Sequence, residues 1–457
     1  MTARLLFVFL LAAAPAVLEA QSSAPPGDTV AAPGPRYRAS GLHSFLLGKE
    51  YRSLWTTPIK VPILDLDRFA GGLRIISKGG GQQTKSLLMR APDGREFFFR
   101  SVDKDPSAAL PPELRGTVAS SVVRDQTSSA FPTAPLTVNK LLDAAGIPHG
   151  ESRLVVLPDD SRLGEFQADF GGLMGFVEDR VGGKEGPPAH WGGAFEIIGS
   201  DSLVARIDRS PDDRVDARAF VSARLFDVFI GDWDRHIDQW VWARFDDKTP
   251  RRWQPIPRDR DQAFVKYDGF LLNAARQTSP QLTNFKPDYP YMPGATWNGR
   301  DLDRRFLVEL EWPTWKAAAA ELQSRLTDSV IDAAVAALPP EHQAIAGKML
   351  ATALKERRDH LQDAAREYFG LLAGETNVRG TSEADEARAI REPGGVLEVT
   401  LSRREPGAAP YFRRRFGNET GEVRLFLGPG DDRAVVSGSG SNGPLIRILG
   451  DEGKDEL

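Results

Sequence analysis

Two acid-rich loops lie about twenty residues apart in the middle of the sequence. The first is Gly231-Asp232-Trp233-Asp234-Arg235-His236-Ile237-Asp238-Gln239, and the second is Pro257-Arg258-Asp259-Arg260-Asp261-Gln262-Ala263-Phe264. Between them Trp240-Val241-Trp242-Ala243-Arg244 and Trp253-Gln254-Pro255-Ile256 alternate like the arms of a hairpin around Asp246-Asp247-Lys248. Phosphoryl transfer needs a carboxylate beside the acceptor hydroxyl, oxygens to hold Mg²⁺ or Mn²⁺, and a cation on the nucleotide phosphates. A loop–hairpin–loop with acids on both loops supplies the first two. A buried salt-bridge cluster at a helix end is the plainer reading of Asp234-Arg235-His236, and the second Asp loop weighs against it.

Asp234-Arg235-His236, with Gln239 five residues after the Asp, resembles the Asp-Arg-His-x-x-Asn catalytic loop of atypical kinases. That motif occurs in HipA-type kinases, spore-coat CotH kinases and secretory-pathway kinases acting on casein-like proteins. Asp259-Arg260-Asp261-Gln262-Ala263-Phe264 is similar to their metal-binding Asp loop. The resemblance implies that Asp234, Arg235 and His236 form the catalytic loop, with Asp234 as base and His236 bracing it. It implies Asp259 as metal ligand, with Asp261 as the alternative. Gln239 departs from the family's metal-binding Asn and offers a carbonyl on a longer arm.

Upstream the resemblance is looser. Gly79, Gly80 and Gly81 look like a phosphate loop between strands, and an ordinary loop is the alternative. Arg100 stands where such kinases carry a strand-borne Lys, with Lys104 four residues later. Arg binds phosphates bidentately, or simply faces solvent from an edge strand. Asp125, on the following helix, is the acid that would pair with that cation. Residues 173–178 resemble the strand leading to the hinge between lobes. In all, the kinase-like text covers about residues 70–370.

The elements that must position these loops follow from periodicity. Residues 61–66, 72–76, 86–90, 96–102, 154–157 and 173–178 have strand patterns, with Pro92-Asp93-Gly94 as a hairpin turn. Helices are expected over 112–130 and 138–145, and an amphipathic one over 216–229 carries Phe220, Leu225 and Phe226 on one side. Two long helices are expected over 315–337 and 341–372, broken by Pro339-Pro340. Beyond Gly374 the chain is β-like. The expected fold is therefore α+β: a two-lobed, kinase-like domain with a β-rich N-lobe (41–178), a helical C-lobe (179–374) and a small C-terminal β-rich appendage (375–457).

The first twenty residues combine Arg4, an apolar run from Leu5 to Val17 and a small residue at Ala20, the pattern of a cleavable signal peptide. A retained anchor is the alternative. Residues 21–40, rich in Pro and Ala, read as a flexible leader. The 457 residues contain no cysteine, so disulfides and thiolate zinc sites are excluded, and a bacterial periplasm or cell surface is favoured. The net charge of -5 is unpatterned and gives no reason to expect nucleic acid. Peripheral association with an outer membrane stays open.

The final Lys454-Asp455-Glu456-Leu457 spells an endoplasmic-reticulum return signal, the alternative address. It also falls within a local repeat, in which strands 423–427 and 446–449 each run into a Gly/Asp turn. Those turns offer hard oxygen ligands to Ca²⁺, or are plain turns.

The leading expectation is an exported, kinase-like phosphotransferase. Its partners would be ATP or another nucleotide with Mg²⁺ or Mn²⁺, and a protein or small hydroxylated acceptor. The alternative is a pseudokinase acting as a surface or periplasmic scaffold. A metal-dependent hydrolase ranks last, because His236 is the one histidine near the acids.

Overall fold

The computed structural model describes residues 27–49, 51–79, 84–182, 191–440 and 442–457, and the fold is mixed α and β. Residues 1–20, Gly80 and Gly81 lie outside the described residues, and the signal-peptide reading falls there. Part of the expected leader is ordered, since Asp28–Ala31 pairs antiparallel with Ile59–Pro62.

Five antiparallel strands form the first sheet, in the order Arg74–Lys78, Thr84–Arg90, Glu96–Lys104, Met174–Asp179, Ser152–Val156. Alternation in Glu96–Lys104 buries Phe97 and Phe99 on one face, beside Leu87, Met89 and Phe170. The opposite face carries Arg100, which is thereby aimed at the loops that follow. The expected helix over 112–130 is a broken run. Val118–Asp125 is flanked by short 3₁₀ turns at Pro112–Leu114 and Gln126–Ser129. Ala134–Ala145 then packs its apolar side inward.

Helix Ala217–Ile230 is the centre of the molecule. Asp216 caps it by accepting from the Ala219 N–H (3.0 Å), and Gly231, at φ 70°, ends it in the left-handed conformation. The expected amphipathic pattern is not what its surroundings require: Phe220, Val221, Ala223, Leu225, Phe226 and Phe229 are all inaccessible. From Ala223 to Ile230 the helix is wrapped on every side, while Arg218 near its start is exposed, and its buried Arg224 and Asp227 are tolerated because they pair with each other at 2.6 Å.

The two expected long helices are each divided. Trp312–Arg325 and Asp328–Val335 are separated where Thr327 begins a new helix by accepting from the Val330 N–H at 3.3 Å. A π-helical segment, Gln343–Gly347, precedes Lys348–Asp359, and a break at His360 precedes Leu361–Ala373.

From Glu375 the chain forms two sheets over a core of its own that includes Val378, Leu397, Val399, Phe416, Val423 and Leu425. Strands Glu375–Arg379, Glu422–Phe426 and Leu445–Leu449 stack in parallel. Each leads through a turn into a second stacked row: Asp385–Glu392, Arg433–Gly438 and the bridge residue Glu456. The expected pair of strand–turn repeats is thus a set of three. The first has no Gly/Asp signature in its turn, Gly380 to Ala384, and a hairpin is inserted after it. Lys454 and Asp455 belong to these turns: the Lys454 N–H donates to Asp431 and the Asp432 N–H to Asp455.

Candidate active site

The hairpin sets the geometry. Trp240–Arg244 pairs antiparallel with Arg251–Pro257, with Trp240 opposite Pro257, so the loops at its open end lie side by side. Buried Trp240, Trp242 and Trp253 lock it onto the molecule. Arg258 donates its backbone N–H to the Gln239 carbonyl at 2.9 Å. Arg235 completes the clamp: its guanidinium, fully buried, reaches the carbonyls of Arg258 and Asp259 at 2.8 Å each and of Gln239 at 2.9 Å. Arg235 therefore faces backbone and not the cavity. It is a staple that fixes the register of the two loops.

Asp234 faces a cavity of about 400 Å³ whose walls also include Lys104, Asp259, Asp261, Gln262, Trp233 and Tyr267. Asp234 is held twice: its backbone N–H donates to Asp232 at 3.2 Å, and its carboxylate accepts from the Asn298 amide at 2.6 Å. His236 caps the short turn Ile237–Gln239, accepting from the Asp238 N–H at 3.3 Å. Its Nε2 is 3.3 Å from the Gln239 amide nitrogen, so the side chains of Gln239 and His236 engage each other.

Asp259 adopts φ 50°, a left-handed conformation that Asp tolerates better than most residues. Its carboxylate pairs with Arg100 at 2.8 Å. Burial pushes that carboxyl up, but Lys104, Arg100, Arg235 and Arg258 together outweigh burial and hold it below its ordinary value. Asp261 pairs with Lys104 and accepts from Gln262 at 3.0 Å. Arg100 also lies 3.6 Å from Glu178, whose carboxyl is raised by burial despite that cation. Arg100, Glu178 and Asp259 line a second, smaller cavity of about 40 Å³ with Arg180 and Arg258. Asp259 is thus shared by both cavities.

One expected site position lies elsewhere. Asp125 is not opposite Arg100: it takes a bidentate pair from Arg52 (2.9 and 2.5 Å) and lies 3.1 Å from His43. The helix Val118–Asp125 turns this acid towards the N-terminal helices, and Glu178 takes the place beside Arg100 that Asp125 was expected to fill. Gly79 is committed to its strand pair, donating to the Ser86 carbonyl at 2.7 Å, where an added Cβ would stand 2.6 Å from Ser86 Oγ.

Beneath the loops lies a buried ionic network that sequence patterns did not reveal. Asp227 pairs with Arg224, Arg235 and Arg260, while Asp303 accepts from Nε and Nη2 of Arg224 at 2.7 and 3.0 Å and from the Tyr368 hydroxyl. Asp232 is 3.5 Å from Arg235 and 3.7 Å from Arg260, yet its Oδ2 accepts no hydrogen bond. Burial raises its carboxyl to about 7, overriding Arg235. Burial lowers Arg260 to about 9, aided by repulsion from Arg224. Asn298 was equally invisible, being 64 residues from Asp234. Among the described residues no three His, Asp or Glu side chains form a metal-holding group, and in the C-terminal turns Asp431 and Asp455 accept from the backbone N–H groups of Lys454 and Asp432.

No protein-family model matches the sequence, and no curated protein matches it. Among solved structures, the chain is similar to the proinflammatory kinase CtkA of Helicobacter pylori, with 13% identity and a TM-score of 0.38 over 67% of this chain and 98% of that one. It is also similar to HipA of Shewanella oneidensis MR-1, solved with HipB and its operator DNA, with 12% identity and a TM-score of 0.31 over 68% of this chain and 77% of that one.

Proposed function

We propose that this protein is an exported, kinase-like phosphotransferase that moves a nucleotide phosphate to a hydroxyl on a protein or small molecule. The observation that carries the reading is the convergence of Asp234, Lys104, Asp259 and Asp261 on one cavity of about 400 Å³. In this reading Asp234 accepts the proton of the attacking hydroxyl as its oxygen bonds to phosphorus. Lys104, with Arg100, offers positive charge to the phosphate oxygens, and the P–O bond to the departing nucleotide breaks.

Asp259 and Asp261 suit a divalent cation, because Mg²⁺ is commonly held by one or two carboxylates plus phosphate oxygens. The bound cation would supply charge neutralisation on the phosphates. Export rests on the N-terminal pattern, and N-terminal sequencing of the secreted protein checks for cleavage before Gln21.

The test is to titrate residues 21–457 with ATP and GTP, with and without Mg²⁺ or Mn²⁺, following melting temperature and phosphate transfer. A ligand of the folded state raises the melting temperature according to its affinity. Asp259→Asn should abolish the metal-dependent rise. Asp234→Asn should keep it and lose transfer by roughly 10²–10⁴-fold. Retention of full transfer by both variants would refute the assignment.

A catalytically weak, scaffolding pseudokinase is the second reading. It is favoured by the engagement of Gln239 with His236 and of both metal-loop carboxylates with Arg100 and Lys104. Cooperative melting with no response to any nucleotide would select it.

A further inference from the structure

The geometry points to Asn298 as the positioning residue for Asp234, an inference that rests on the phosphotransferase reading. Asn298 sits in the single turn Trp297–Gly299, and its amide donates to Asp234 Oδ1 at 2.6 Å. A carboxylate on a loop has free rotation about its side-chain bonds, and a base works only when its oxygen points at the proton it removes. The Asp232 contact fixes the backbone of Asp234, whereas the Asn298 amide fixes the carboxylate itself.

The donor is in turn anchored by the buried network. A Cβ on Gly299 would stand 2.4 Å from Arg224 Nη2 and 3.0 Å from Asp303 Oδ2, so Gly299 packs its bare backbone on that ion pair. Asp303 lies in the next helix, Arg300–Phe306, and grips Arg224 with both oxygens. Arg224 leads through Asp227 to Arg235, the staple of the two acid loops. One continuous chain of buried ion pairs therefore holds both the base and the amide that aims it. Trp297, beside Asn298, is exposed with Arg300 stacked 4.2 Å over its ring, so the outer side of the turn is held as well as its inner side.

The experiment compares Asn298→Ala and Asn298→Gln with wild type in nucleotide-dependent transfer, together with a double-mutant cycle of Asn298→Ala and Asp234→Ala read by thermal melting. Asn298→Ala should lower kcat by about 10–100-fold with the nucleotide KM within about twofold of wild type. Asn298→Gln, which keeps the donor, should recover most of that loss. The two melting shifts should be non-additive, since the residues share one contact. Wild-type kcat in Asn298→Ala, or an equal loss in both variants, would overturn the positioning role. Additive melting shifts would show that the contact is not made. Absence of nucleotide binding and transfer in the wild-type protein would instead defeat the phosphotransferase reading, with the cycle still deciding whether Asn298 holds Asp234.

Discussion

Asp232 lies one residue from Trp233 and two from Asp234, and it is almost wholly buried with one oxygen that accepts no hydrogen bond. A carboxyl whose value rises on folding contributes its full stability below its unfolded value and loses it as pH climbs through the folded one. For Asp232 that window runs from 3.8 to about 7. Wild-type stability should therefore decline across this range. Asp232→Asn, which keeps the acceptor for the Asp234 N–H, should flatten the decline and gain on the order of 1–3 kcal/mol relative to wild type near neutrality. Urea melts at pH 5 and pH 8 check it, and an unchanged pH slope in the variant would assign the ionisation elsewhere.

At the scale of elements, the central helix depends on a clamp at its C-terminal end. Arg357, on helix Lys348–Asp359, donates to the carbonyls of Val228 (2.6 Å) and Phe229 (2.7 Å), and to those of Lys286 and Asp288 at 2.9 and 3.0 Å. Helix ends leave carbonyls without intrahelical partners, and here one side chain serves the Phe229 carbonyl, shares that of Val228 with the Gly231 N–H, and ties down the 286–288 segment. Arg357→Ala should cost roughly 3–5 kcal/mol in denaturant unfolding, because several buried carbonyls lose their donor at once. A loss below about 1 kcal/mol would mean that water replaces the guanidinium.

The stacked C-terminal turns show the same logic with acids. Asp432 accepts from the Asp385 N–H at 2.7 Å while its own N–H donates to Asp455. Burial, with the Asp385 and Asp455 carboxylates nearby, pushes Asp432 up to about 6. Its contribution should fade as pH rises from 3.8 to about 6, and Asp432→Asn should remove that part of the pH dependence. Hydrogen exchange in residues 375–457 at pH 5 and pH 7 reports it locally.

The molecule as a whole is held together by arginines crossing between the helices and the C-terminal β segment. Arg414 reaches the Val308 carbonyl at 2.6 Å and stacks over Phe416, while Arg214 reaches the Tyr411 carbonyl at 2.9 Å. Arg403 joins Glu383 to Asp212. A cavity of about 110 Å³ remains between the two parts, lined by Arg305, Arg379 and Tyr411 among others. Arg414→Ala should destabilise by about 2 kcal/mol and let the C-terminal β segment unfold before the rest. Calorimetry would then show two transitions where wild type shows one. A single, merely shifted transition would mean that the β segment and the helices remain one cooperative unit. No helix among the described residues is long and apolar enough to cross a membrane.

What the sequence determined by itself was local. Asp216 and Gly231 bracket the central helix, alternation marks the sheet strands, and the paired Trp arms bring Asp234 and Asp259 together. Caps, periodicity and turn chemistry act over a few residues, so they are written where they operate. Tertiary structure decided which charge meets which. Asp125 went to Arg52, Glu178 to Arg100, and Asn298 to Asp234, pairings separated in the chain by 73, 78 and 64 residues respectively. Which acid faces a given cation depends on how helices and sheets pack, and packing follows from the fit of apolar surfaces across the whole chain, a property no local window contains.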